Sequence, residues 1–398
     1  MTSFVHRNIP QASVLKLFFF VGLVWAALAG PLSGVLVLVH NGATNQHIGI
    51  ISAISSFAGM IVQPVWGFIS DKIGSPRKVL CIGLCASTVC FTSVLFTDNL
   101  YLVSVLLVLE VMFRSSVVAL LDSHTLSEIG VMPGLQYGHI RMAGSIFFGV
   151  ISFMYSFVIN ERDIMAVIPI SAAIAVVAVC WGFFIARGRW ETSEESVAGV
   201  RRIKPSLKKD TAALFQNKPY IMLLFFAALA SLSSMPLLVF LIEFAVAVGT
   251  GPGQVPLILA LRCAIEVPVL IFIGTKAKRI SAKKLMLTGA CLMVIYVIGL
   301  LFSTSFIMLV VSHVVGGAPG FIFLLAGRLR YLNEITPESV RSTSITLMGT
   351  SEWALGAIAG SLIGGFVLEA YGTHALALIS LIAILAAMFI LVLIPTKT

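Results

Sequence analysis

Long apolar runs separated by short polar segments occupy most of the chain between residues 17 and 394. A helix of about 20 apolar residues crosses the roughly 30 Å of hydrocarbon in a bilayer. Twelve runs approach this length: 17–39, 46–69, 78–96, 100–123, 140–160, 164–186, 219–246, 253–274, 284–303, 305–327, 344–368 and 373–394. The pattern predicts an all-α membrane protein with twelve transmembrane helices.

Composition agrees with this prediction. The 398 residues are 59% hydrophobic and only 11% charged, whereas soluble domains average about 25% charged residues. The first run resembles a signal peptide, but it continues to Val39 and further spans follow, so we expect an uncleaved first helix. The six cysteines lie in apolar runs without metal-ligand spacing, and we expect no metal or cofactor.

The positive charge indicates orientation rather than nucleic-acid binding. The net charge is +9, and most of the 26 Lys and Arg residues fall in connections on one side of the predicted membrane, among them Arg328, Arg330 and Arg341 between the tenth and eleventh runs. Lys and Arg accumulate in short cytoplasmic loops. We therefore expect both termini in the cytoplasm and no nucleic-acid partner.

One long charged connection, 187–218, divides the runs six and six. We interpret 1–186 and 219–398 as two pseudo-symmetric six-helix bundles joined by this linker. The basic segment Gly274–Lys284 follows the eighth run and repeats the position of Gly67–Lys78 at a constant offset of 207 residues. Such repetition is typical of transporters whose site lies between the two halves.

The first connection of this kind, between the second and third runs, has the sequence GFISDKIGSPRK. Its glycines suit a tight turn, and its charged residues are expected where water resumes. We interpret it as a gating loop formed by Gly67, Asp71, Lys72, Gly74, Arg77 and Lys78. If the eleventh helix begins near Ser344 on the same face, its N-terminal dipole would attract Asp71.

The order of these residues resembles the loop motif of major facilitator transporters, although Ser75 and Pro76 precede the basic pair here. Tyr137–Ser145 resembles a pattern of lactose-permease-like and phenylpropionate-permease-like proton symporters. Ile265–Pro268 resembles both those symporters and the sugar efflux transporters. The resemblance implies the major facilitator fold and transport by alternating access.

Ionisable residues within the runs are the candidate functional residues, because each costs about 2.5 to 3.5 kcal/mol on insertion scales unless it is paired or hydrated. Glu110 and Arg114 are four residues apart, as are Arg262 and Glu266, so each pair shares one helix face. Each pair either neutralises itself or faces a cavity.

Substrate contacts follow from the resemblance to lactose permease. It implies that Glu266 accepts hydrogen bonds from sugar hydroxyls and that Arg141 binds the sugar together with Asp122. The alternative for Asp122 and Arg141 is an ion pair that links the fourth and fifth helices. Trp353 either stacks on a sugar or anchors its helix at the lipid interface.

Four residues are candidates for proton coupling: His313, Glu266, Glu352 and Glu110. Histidine changes charge near physiological pH. A hydrogen-bonded packing role is the alternative for His313.

We therefore predict a secondary transporter of a small polar solute, with a sugar or oligosaccharide favoured, coupled to proton entry and located as a multi-pass protein in the cell membrane. Efflux of sugars or drugs is one alternative, and a non-transporting receptor in a transporter fold is another. We expect no enzymatic activity, since no nucleophile-base pattern or phosphate-binding glycine loop is present. The expected partners are the solute, protons and lipid, and the expected state is a monomer.

Overall fold

The computed structural model describes residues 11–130, 132, 135, 137–161, 163–185, 214–275, 280–337 and 340–395. Every regular element within these residues is a helix, which confirms the predicted all-α fold. The first eight α-helices are α1 (Gln11–Ala29), α2 (Gly34–His40), α3 (Asn45–Ile73), α4 (Pro76–Ser93), α5 (Leu100–Arg114), α6 (Val117–Gly130), α7 (Tyr137–Glu161) and α8 (Val167–Cys180). The remaining eight are α9 (Lys218–Val239), α10 (Leu241–Ala247), α11 (Gln254–Thr275), α12 (Ala282–Leu301), α13 (Phe306–Ser312), α14 (Ala318–Ile335), α15 (Arg341–Ser351) and α16 (Gly360–Leu393).

Eleven helical stretches among the described residues are long and apolar enough to cross a membrane. The last, Ser344–Leu393, is 50 residues long, and a straight helix of that length would reach about 75 Å, far beyond a bilayer core of roughly 30 Å. Gly372 interrupts it with φ 77° and ψ −176°, a conformation that glycine adopts readily. The interruption lies between the last two predicted runs, 344–368 and 373–394.

The first polar connection is shorter than the sequence suggested. Helix α3 continues to Ile73, Gly74 adopts a left-handed φ of 69°, and the Ser75 hydroxyl accepts a hydrogen bond from the Lys78 N–H at the start of α4. Glycine at the end of one helix and serine before the next are the expected capping residues. Gly67 lies inside α3, so the expectation that it shapes the turn is wrong.

Arg77 also departs from expectation. Asp71, Lys72 and Lys78 are exposed as predicted, but Arg77 is buried and donates a hydrogen bond to the Gly182 carbonyl in the π-helical segment Trp181–Ile185. This hydrogen bond gives the buried guanidinium a carbonyl acceptor and links the start of α4 to that segment.

Helices α3 and α16 touch through their backbones. A Cβ atom at Gly49 would lie 2.6 Å from the Ser361 carbonyl oxygen, and a Cβ at Gly365 would lie 2.6 Å from the Asn45 carbonyl oxygen. The Asn45 N–H donates to Glu369 Oε2 at 2.9 Å beside this contact. The carboxylate therefore caps α3 at the point where the two helices meet.

Glycines of the eleventh predicted run allow close packing on α9. A Cβ at Gly356 would overlap Ser231, and Cβ atoms at Gly360 and Gly364 would both press on Pro236. The predicted linker overlaps residues 186–213, and the second basic connection overlaps residues 276–279; both of these stretches lie outside the described residues.

Candidate functional site

Helices α7 and α11 pack side by side and bring candidate residues from two parts of the chain together. A Cβ at Gly149 would lie 3.2 Å from Cys263 Cβ, and Gly253 at the start of α11 lies against Asn160 near the end of α7. These two contacts show that the helices run antiparallel. Arg141 is about two helical turns from Gly149 along α7.

Arg141 rests on an aromatic ring. Its guanidinium carbon lies 4.1 Å from the centre of the Trp25 ring on α1, which is a favourable cation–π distance. Gly144 makes the stack possible, since a Cβ there would lie 2.5 Å from Trp25 Cδ1. The Trp25 Nε1 atom is buried and has no hydrogen-bond partner among the described residues.

Asp122 and Arg141 do not form the direct ion pair that was one of the two expectations. The Tyr137 hydroxyl donates to Asp122 Oδ1 at 2.6 Å, and Tyr137 interacts electrostatically with both Asp122 and Arg141. Tyr137 thus lies between the acid and the base. The sequence did not single out Tyr137 for this role.

Arg262 and Glu266 form an ion pair near the middle of α11. Arg262 Nε lies 3.3 Å from Glu266 Oε1, and the two side chains remain 18% and 19% exposed. The guanidinium carbon of Arg262 lies 5.4 Å from the centre of the Phe321 ring on α14. Arg141, Arg262 and Glu266 all act electrostatically on Cys263, so the three charges share one neighbourhood.

His313 is fully hydrogen-bonded. Its Nδ1 lies 2.9 Å from the Leu309 carbonyl oxygen, and its Nε2 lies 3.0 Å from the Tyr296 hydroxyl. A carbonyl only accepts, so Nδ1 carries the hydrogen and Nε2 accepts from Tyr296. This geometry favours the packing interpretation for His313, although its imidazole also interacts electrostatically with the nearby Arg262.

Glu110 is the most deeply buried of the candidate carboxylates. Its side chain is 1% exposed, Arg114 Nε lies 2.6 Å from its Oε1, and the Ser87 hydroxyl donates to the same oxygen at 2.8 Å. The carboxylate is therefore neutralised within its own helix and hydrogen-bonded from α4. This arrangement favours the structural interpretation of the Glu110 pair.

Glu352 pairs with a residue that the sequence placed outside the membrane. Arg328 Nη1 lies 2.8 Å from Glu352 Oε1, and Arg328 belongs to α14, within the long apolar helical stretch Phe306–Ile335. Helix α14 continues beyond the predicted end of the run at residue 327, so the expectation that Arg328 lies in the connection after that run is wrong. The apolar residues Tyr331, Leu332 and Ile335, which extend the helical pattern, were the signal for this.

Two further buried polar residues were missed for the same reason. Helix α6 continues to Gly130, past the predicted end at residue 123, and it buries His124 and Glu128 four residues apart. The His124 ring packs edge-on against Phe20 at 5.8 Å. Trp353 belongs to the π-helical segment Glu352–Ala359, and its side chain lies outside the described part of the chain.

The structure therefore divides the candidates into separate groups. Arg141, Arg262 and Glu266 gather where α7 meets α11, and Glu352 lies apart from them with Arg328. Asp122 stands beside Arg141 through Tyr137, while Glu110 is enclosed by its own partners.

Known proteins resemble this chain over nearly its full length. The family model described as the MFS_1-like family matches residues 13–391. The maltose permease of Geobacillus stearothermophilus is 23% identical over 395 residues, which cover 97% of this chain and 95% of that protein. The uncharacterized transporter YwbF of Bacillus subtilis (strain 168) is 20% identical over 359 residues, 90% of this chain and 86% of its own length.

A solved structure has the same fold. The crystal structure of the nucleoside transporter NupG superimposes with a TM-score of 0.76 at 15% identity and covers 96% of this chain and 98% of that one. Together with the membrane-spanning helices, these similarities confirm the predicted all-α major facilitator fold and a multi-pass membrane protein. The chain belongs to the MFS_1-like family of major facilitator transporters.

Proposed function

We propose that this transporter carries a small polar solute, a sugar or oligosaccharide, into the cell together with protons. The observation that supports it most is the partly exposed Arg262–Glu266 pair in the middle of α11, beside Arg141 of α7. Transporter sites lie near the membrane midplane between packed helices. A carboxylate with unused acceptor positions suits the hydroxyl groups of a sugar.

The proposed class of solute is supported by the names of similar proteins as well as by the residues of the site. The maltose permease matches this chain almost from end to end, and its name supports a glycoside. NupG is named a nucleoside transporter, and a nucleoside likewise presents ribose hydroxyls, so nucleosides belong in the test panel. The unpartnered Trp25 Nε1 and the Arg141 guanidinium add donors on the other side of the proposed site.

Alternating access requires that one side closes while the other opens. The backbone contact between Gly49 and Gly365 and the Glu369 cap on Asn45 support closure at one end of α3. With this antiparallel register, Asp71 would lie about level with residue 343. That position is the start of α15, so the register supports the proposed attraction between Asp71 and the α15 N-terminus.

The proposed arrangement has twelve crossings in two six-helix bundles, 1–186 and 219–398, joined by the linker 187–218, with both termini in the cytoplasm. The chain would act as a monomer in the cell membrane and catalyse no covalent reaction. A cysteine-accessibility experiment with impermeant reagents at residues of the linker and of the 97–99 connection tests the orientation.

Proteoliposomes test the transport proposal. Vesicles with an inward-directed proton gradient receive labelled maltose, melibiose, lactose or uridine in separate trials. We expect accumulation of at least one sugar above its equilibrium level, and loss of accumulation when a protonophore collapses the gradient. Accumulation of uridine alone would replace the sugar by a nucleoside, and accumulation that survives the protonophore would overturn the proton coupling.

A further inference from the structure

The Arg328–Glu352 ion pair differs in kind from the other membrane ion pairs of the described residues. Glu110 with Arg114, and Arg262 with Glu266, are pairs within one helix. Their separation is fixed by a single backbone. Arg328 lies on α14 and Glu352 begins the π-helical segment that follows α15, so this pair joins two helices.

Burial makes the two partners dependent on each other. The Arg328 side chain is only 5% exposed, its Nε has no hydrogen-bond partner among the described residues, and Nη1 lies 2.8 Å from Glu352 Oε1. A guanidinium does not lose its proton in a protein. A buried charge that loses its partner is strongly destabilised. Protonation of Glu352 therefore destabilises the present position of Arg328.

Glu352 is the more accessible partner, with 22% of its side chain exposed. Among the described residues, Arg328 is the charged group that acts on it. Helix α9 packs on this segment with the uncharged groups of Leu224 and Ser231. The ionisable residues Asp71 and Lys72 of α3 lie about three turns away along the helix axis, given the register at Gly49 and Gly365.

The helix around Glu352 has an unusual geometry. Residues 352–359 form a π-helix, a rare form that occurs mostly as short segments and often at functional sites. Ser351 directly precedes this segment, and its hydroxyl donates a hydrogen bond to the Leu224 carbonyl oxygen of α9 at 3.1 Å. The segment is therefore held on α9 by the Ser351 hydroxyl that directly precedes it and on α14 by the ion pair.

We propose that Glu352 carries the coupled proton and that Arg328 is the positioning residue that keeps Glu352 ionised until the proton arrives. The inference rests on the proposed proton-coupled transport. A proton from water binds the Glu352 carboxylate, the ion pair opens, and α14 becomes free to move relative to the π-helical segment. Release of the proton restores the pair.

Two transport modes separate this role from a structural one. Accumulation driven by a proton gradient needs proton release, whereas exchange of labelled for unlabelled solute at equal pH does not. With labelled maltose, or labelled uridine if uridine is the solute carried, we expect Glu352→Gln to lose at least about tenfold in accumulation while exchange persists. Exchange in this variant should no longer fall at alkaline pH, because the amide has no proton to lose.

A neighbouring cation disfavours proton binding to a carboxylate. In Arg328→Gln, Glu352 should therefore keep its proton to higher pH, and the pH above which exchange falls should rise by about one unit or more. Arg328→Lys keeps the charge and should restore part of the normal profile. The matched control is Arg330→Gln. Arg330 lies two residues after Arg328 on the same helix, and this variant breaks its exposed ion pair with Glu334. Its profile should match that of the unmodified protein.

The outcomes distinguish the two proposals. If the unmodified protein does not accumulate any solute of the panel, the proposed function fails and this inference fails with it. If it does accumulate solute and Glu352→Gln accumulates equally well, only the assignment of Glu352 and Arg328 is overturned. If Arg328→Gln does not fold, the double variant Arg328→Gln with Glu352→Gln replaces it, because neither charge is then left buried without its partner. The inference requires that exchange by this double variant is independent of pH.

Discussion

Two regions of the molecule carry the same sequence feature, an acid and a base four residues apart in a membrane helix, yet their surroundings differ. In α5, Glu110 is 1% exposed and receives hydrogen bonds from both Arg114 and Ser87. In α11, Glu266 is 19% exposed and its separation from Arg262 is longer, at 3.3 Å. Glu110 is closed off from water with two donors on its Oε1, whereas Glu266 is partly exposed and keeps acceptor positions for a ligand.

The difference shows that pairing alone does not identify a functional charge. Any intramembrane ion pair lowers the cost of inserting its members. What separates the two is the third partner, which is a serine hydroxyl at Glu110 and an aromatic ring, Phe321, beside Arg262. Loss of the carboxylate should therefore affect stability in α5 and transport in α11.

The largest expected effect is on the stability of the α5 region. Glu110→Gln removes the counter-charge of Arg114 and weakens two charge-assisted hydrogen bonds at a side chain that is 1% exposed, each worth about 1.5 to 3 kcal/mol. We expect a clear drop in the thermal midpoint of the purified protein in detergent. The double variant Glu110→Gln with Arg114→Gln should recover most of this loss, and an unchanged midpoint in the single variant would contradict the structural role.

Glu266→Gln should affect transport strongly and thermal stability little, the reverse of what we expect for Glu110→Gln. The amide keeps the shape but loses charge-assisted hydrogen bonds, which are worth about 1.5 to 3 kcal/mol each, so we expect solute exchange to fall by roughly 10- to 100-fold. The thermal midpoint should stay within a few degrees of the parent. Equal exchange by the variant and the parent would remove Glu266 from the site.

The sequence was sufficient for the all-α membrane fold because run length and composition are set by the bilayer rather than by side-chain packing. It failed at helix ends. Helices α3, α6 and α14 continue to Ile73, Gly130 and Ile335, beyond the apolar runs that revealed them, because backbone hydrogen bonds persist where polar side chains interrupt the apolar pattern.

The candidate site was predictable to the same limited extent. Helix geometry gives the pairs within one helix directly from their spacing. Contacts between helices depend on packing angles and register, which no spacing encodes. The stack of Arg141 on Trp25 and the pair of Arg328 with Glu352 are contacts of this second kind.

A smaller effect is expected at the third partner of the α5 pair. Ser87→Ala removes the hydroxyl that donates to Glu110 at 2.8 Å, and a hydrogen bond to a charged group contributes about 1.5 to 3 kcal/mol. Arg114 still neutralises the carboxylate, so we expect a loss near the lower end of that range. Thermal unfolding measures it, and the same loss in the Glu110→Gln background would show that the hydroxyl acts elsewhere.

The smallest effect is expected beside the α11 pair. Tyr296→Phe removes the hydroxyl that donates to His313 Nε2 at 3.0 Å, a bond between neutral groups worth about 1 kcal/mol. His313 keeps its Nδ1 bond to the Leu309 carbonyl, so the imidazole should stay in place. If His313 only packs, Tyr296→Phe will lower the thermal midpoint slightly and leave the pH profile of exchange unchanged. A shifted pH profile would instead make His313 part of the proton pathway and extend the functional region from the Arg262–Glu266 pair to the helical segments that carry Tyr296 and His313.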